Sequence, residues 1–109
     1  MRNRKLFVII MAMVLMLLNA CAWVELTPGG EKVRVLSKQE VSSCKHVGKT
    51  TATVADDVAG LKRKEHIVKQ NLEMLARNAA AEMGGDTIVP ASTIKDGNQT
   101  FEVYKCVGN

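Results

Sequence analysis

Between residues 68 and 83 the chain sets small and apolar side chains at successive intervals of three, four and one: Val68, Leu72, Leu75, Ala76, Ala79, Ala80 and Met83. That spacing draws one apolar stripe along an α-helix. Glu65, Lys69, Glu73, Arg77 and Glu82 fall largely on the solvated side, and Gly84-Gly85 predicts a left-handed C-terminal cap. A helix with a single apolar stripe must lay it on something else, and the small residues at 79–81 let that surface approach closely.

The flanking segments read as the covering sheet. KVRVLS (32–37) alternates weakly, and KHVGKTTATV (45–54) is rich in Thr and Val, with Gly48 marking a bulge or a close backbone approach. A polar stretch with Asp56, Asp57 and Gly60 leads to the helix. Beyond the cap, DTIVPASTI and QTFEVYKC are extended runs joined through Lys95-Asp96-Gly97-Asn98, where Asp-Gly is a strong hairpin signal. Pro90 donates no ladder hydrogen bond, which predicts an edge or a bulge in the first run. Phe101 and Val103 share one face of the second run, Tyr104 and Cys106 the other. The order strand, strand, helix, strand, strand predicts an α+β fold, a small and mostly antiparallel sheet with one helix on one face.

The head of the chain is of another kind. LFVIIMAMVLMLL (6–18) follows Arg2, Arg4 and Lys5. Thirteen apolar residues are too few for a bilayer span of roughly 20, but they suit a signal peptide. Leu18-Asn19-Ala20-Cys21 resembles the bacterial lipobox, in which the cysteine after a small residue becomes a lipidated N-terminus. The alternative is a plain secretory signal cut near Ala20, with Cys21 incidental. Ala22 stands where inner-membrane lipoproteins commonly carry Asp, so the resemblance implies the outer membrane, facing the periplasm. AWVELTPGGE (22–31) reads as a tether, with Trp23 suited equally to the membrane interface or to packing on the domain. Residues 1–20 are thus expected as signal peptide, 21–31 as lipidated N-terminus and tether, and 32–109 as the domain. Beyond residue 20, twelve basic residues stand against 11 acidic ones, which removes the compositional support for a nucleic-acid partner.

With Cys21 given to lipid, Cys44 and Cys106 remain, an even pair in an oxidising compartment, and a disulfide is expected. Two thiols and His46 are too few for a closed zinc site, and there is no C-x-x-C to suggest a redox centre. Ser42, Ser43, His46, His66, Asp56, Asp57 and Asp86 are joined by no catalytic motif, so neither an enzyme nor a cofactor is expected. Lys62, Arg63 and Lys64 form the basic cluster, a candidate anion-binding patch for lipid phosphates or the acidic stems of peptidoglycan, or else a solvated turn.

W-V-x-L-T near Cys21, C-K-x-V-G in the middle, A-R-N-x-A-A-x-M-G-G-D-T-I-V at the helix-to-strand junction and F-x-V-Y-K-C near the end together resemble the small Gram-negative lipoproteins grouped as domain-of-unknown-function family 4156. The resemblance implies an envelope lipoprotein with no assigned activity. A fainter similarity to the Rcs envelope-stress sensor lipoprotein rests on the lipid anchor, the C-K-x-x-G strand start and the alanine-rich helix. It implies stress sensing through an inner-membrane partner, although that sensor carries two disulfides and a long linker. The leading expectation is a non-enzymatic outer-membrane lipoprotein, an interaction or accessory module with an envelope protein or peptidoglycan as partner; the alternative is a stress sensor.

Overall fold

The computed structural model describes residues 2–19, 24–58 and 60–107. Its elements are α1 (Arg2–Asn19), α2 (Pro28–Glu31), β1 (Arg34–Val35), a 3₁₀ turn (Gln39–Val41), β2 (Lys45–Thr53), β3 (Asp57–Val58), β4 (Leu61–Lys62), α3 (Glu65–Glu82), β5 (Thr87–Pro90) and β6 (Asn98–Lys105). The α+β class holds: a four-stranded sheet in the order β1-β5-β6-β2 carries α3 on one face. β1 runs parallel to β5, and the other pairs are antiparallel. Among the described residues no helix is long and apolar enough to cross a membrane. Cys21 and Trp23 lie outside the described residues.

The apolar stripe does what its spacing requires. Val68, Leu72, Ala76 and Ala80 are buried against Val33, Ala52, Ile88, Phe101 and Val103. The helix ends as predicted: Gly84 takes φ 84°, Gly85 N–H donates to Ala80 O at 2.8 Å, and Gly84 N–H donates to Ala81 O at 3.2 Å. These two bonds form the Schellman arrangement that satisfies the last carbonyls.

The hairpin between β5 and β6 also follows its signal. Asp96 (φ 51°) and Gly97 (φ 74°) both lie in the left-handed region, as a type I′ turn requires. At Gly97 a Cβ would stand 2.1 Å from Val54 O, so that position needs glycine twice over. Pairing runs from Thr87↔Tyr104 to Pro90↔Phe101, Ala91 N–H still donates to Thr100 O at 2.9 Å, and pairing resumes at Lys95↔Asn98, leaving residues 92–94 bulged opposite Gln99. In β2 the register shifts between His46 and Gly48, the bulge expected near that glycine.

Cys44 and Cys106 are bonded, with Cα atoms 4.5 Å apart. They directly follow the pair Lys45↔Lys105 and extend the β2–β6 ladder by one more opposed pair. β1 and β2 sit on opposite edges, so residues 36–44 must cross the sheet on the face that α3 leaves free. Val41 on this crossing and Val89 beneath that face are buried, 3% and 6% exposed.

The segment expected as a tether is folded. Thr27 caps α2, its Oγ1 accepting from Gly30 N–H at 3.0 Å, with Pro28 in the first turn. Asn78 on α3 accepts from Thr27 N–H at 2.9 Å and donates to Glu25 O at 2.8 Å. Arg77, read from the sequence as solvated, donates to Val33 O at 2.8 Å and to Glu31 O at 3.1 Å. Gly30 is buried because the chain lies so close to α3 that a Cβ there would meet Asn78 Oδ1 at 2.2 Å. Here glycine provides close contact rather than looseness.

Candidate functional site

The β3–β4 hairpin, the first turns of α3 and the turn before β6 enclose a groove of about 690 Å³. Val68 and Ile94 give it an apolar floor. Around them stand the cations Lys62, Arg63 and Lys69, the carboxylates Asp56, Glu65 and Asp96, and His66. Arg63 is held in place: its backbone N–H donates to Asp56 O at 2.8 Å and its Nη1 to Ala55 O at 3.0 Å. Among the described residues no ion pair within 4.0 Å joins two of the groove's opposite charges. The groove thus offers separated charges of both signs over an apolar floor, within the size range of small-ligand sites.

Of the predicted basic cluster, Lys62 and Arg63 line this groove. Lys64 does not; it is the N-cap of α3 and makes no side-chain capping bond there. Lys69 and His66 join from the helix, while Asp56 and Asp96 join from loops 40 residues apart in sequence. The i, i+3 spacing of His66 and Lys69 was visible in the sequence. The arrival of Asp96 was not, because only the tertiary fold brings it there. Among the described residues no three His, Cys, Asp or Glu side chains are placed to hold a metal ion.

A second cluster occupies the opposite face of the sheet. His46 Nε2 bonds Glu102 Oε2, Lys49 Nζ lies 3.6 Å from Glu102 Oε1, and the His46 and Tyr104 rings meet edge to face at 5.1 Å. The His46 hydrogen bond, with Lys49 adding to it, holds Glu102 below the usual carboxylate range against the opposing effect of burial. With Lys38, Val89, Pro90 and Ala91, the side chains of His46, Glu102 and Tyr104 line a smaller hollow of about 410 Å³. Farther along this face, Thr51–Thr100 (3.0 Å) and Thr53–Asn98 (2.6 Å) continue a ladder of polar cross-strand pairs.

These features define a small disulfide-stapled α+β domain with an amphoteric groove at one end. The chain belongs to the family described as Domain of unknown function (DUF4156), which matches it over residues 24–106. The match takes in residues 25–31, the segment docked on α3. No curated protein and no solved structure matches the chain.

Proposed function

We propose that this chain is a lipid-anchored outer-membrane protein whose periplasmic domain is a non-enzymatic interaction module of the envelope, with the groove beside α3 as its contact site. The observation that carries the reading is the docking of Glu25 and Thr27 on Asn78. Only residues 22–24 separate Cys21 from Glu25, a reach of about 14 Å even when extended. A diacylglycerol on Cys21, with a further acyl chain on its amine, would hold the domain against its own leaflet. Its partner then has to come to the membrane, which favours a local contact over signalling across the periplasm by a stress sensor. The stem peptides of peptidoglycan carry ammonium and carboxylate groups together, which the groove's mixed charges complement.

Two measurements test this. The intact mass of membrane-extracted protein without reductant should show cleavage before Cys21, added acyl chains and the loss of two hydrogens; an unlipidated mass would reject the anchor. Co-sedimentation with purified sacculi should fall several-fold in the Lys62→Gln/Lys69→Gln variant, and unchanged sedimentation would reject the groove.

A further inference from the structure

β2 is a nine-residue edge strand whose outer side is open. The alternation of antiparallel ladders shows which of its backbone groups face outward. Val54 N–H donates to Gly97 O at 2.8 Å, so in this register Ala52–Gln99, Thr50–Phe101 and Gly48–Val103 are the hydrogen-bonded pairs. Lys49, Thr51 and Thr53 occupy the pairs between them and turn both N–H and C=O away from β6. Among the described residues no backbone hydrogen bond reaches these groups from elsewhere in the chain.

We propose that this edge pairs with the same edge of a second copy, β2 antiparallel to β2 with Thr51 on the two-fold axis. In that register Thr51 faces Thr51, and Lys49 faces Thr53. About six backbone hydrogen bonds close the junction and join two four-stranded sheets into one. Charge selects this partner. The leading end of β2 carries Lys45, His46 and Lys49, whereas Asp56 and Asp57 follow its trailing end. Antiparallel self-pairing brings each basic end towards the other copy's acidic end, which a parallel arrangement would not do.

Lysines and a bulge are the usual guards of an open edge, and here Lys45, Lys49 and the His46–Gly48 bulge guard one end. That guard does not extend over Thr50 to Thr53. A two-fold axis perpendicular to the joined sheet also leaves both α3 helices, and both docked N-terminal segments, on the same face. On the anchoring proposed above, both lipids can then enter one leaflet.

The test uses full-length protein extracted from membranes in mild detergent. Sedimentation velocity should give a dimer. Thr51→Pro removes an outward N–H while sparing the bonds to β6, and should weaken association at least tenfold with the disulfide and helical signal retained. Thr51→Cys should crosslink to a homodimer with a short bis-maleimide, whereas Lys45→Cys, about 12 residues from its own counterpart in this register, should not. A monomer in wild-type protein, an undiminished dimer in Thr51→Pro, or capture of a different protein by Thr51→Cys would each overturn the proposal. Because the readouts are stoichiometry and position, they stand even if the lipid is missing or sacculi fail to bind.

Discussion

Asp86 holds the end of the domain with one carboxylate. Its Oδ1 accepts from Cys106 N–H at 2.8 Å and from the Thr87 hydroxyl at 3.0 Å, and its Oδ2 accepts from Val107 N–H at 2.8 Å. Burial pushes its pKa up, but the Cys106, Val107 and Thr87 donors and the charge of Arg34 outweigh it, leaving Asp86 below the ordinary range. Glu102 is depressed as well. Between the folded and unfolded pKa values the unfolded chain binds more protons, so both groups stabilise the fold above about pH 4 and lose that contribution as pH falls further. Asp86→Asn should cost about 1–2 kcal/mol at pH 7, with a shallower acid limb in chemical denaturation followed from pH 6 to pH 2; an unaltered limb would show that Asp86 is not linked to acid unfolding. At the other end, Gly30→Ala places a methyl against Asn78 Oδ1 and should destabilise by about 1–3 kcal/mol, read as a lower midpoint in urea.

At the scale of elements, α2 and its flanks depend on two side chains of α3. Asn78→Ala removes the partners of Thr27 and Glu25, and amide exchange at Gly30 and Glu31 should rise well before exchange in the core of α3. Uniform protection across both regions would contradict that order. This docking was illegible in the sequence for a physical reason. Pro28-Gly29-Gly30 carries the composition of a loose linker, and only proximity to Asn78 and Ala81 turns the glycines into a fitted contact. Thr27-Pro28 was the available signal, a cap followed by a first-turn proline. The β3–β4 hairpin was read simply as polar chain, since two-residue strands have no period to detect. By contrast α3, its Schellman end and the Asp96-Gly97 turn were plain, because each is specified by neighbours within a few residues. The groove falls between these cases: Lys62 and Arg63 are adjacent in sequence, while Lys69 and Asp96 meet them only after folding.

For the whole molecule, strand order was the hardest part to foresee. β1 pairs in parallel with β5 across 53 positions, Arg34 with Thr87, and no local pattern names that partner. The disulfide bridges a separation of 62 residues and joins the two strands that meet last in sequence, β2 and β6. In the chain-entropy account such a link is worth about 4 kcal/mol, a large share of the stability of so small a domain. A Cys44→Ser/Cys106→Ser variant should lose stability of that order in chemical denaturation. A loss below 1 kcal/mol would place the main constraint elsewhere, in the β2–β6 ladder itself.

Both ends of the domain are fastened within one ten-residue stretch. Arg77 and Asn78 grip residues 25–33, and Asp86 grips 106 and 107. A tug from the N-terminal side therefore lands first on α3 through Arg77 and Asn78, and one from the C-terminal side is shared between the Asp86 clasp and the Cys44–Cys106 bond. A machine that unfolds proteins by threading them from a free end would meet resistance at its first step, before it could shear a single strand from the sheet.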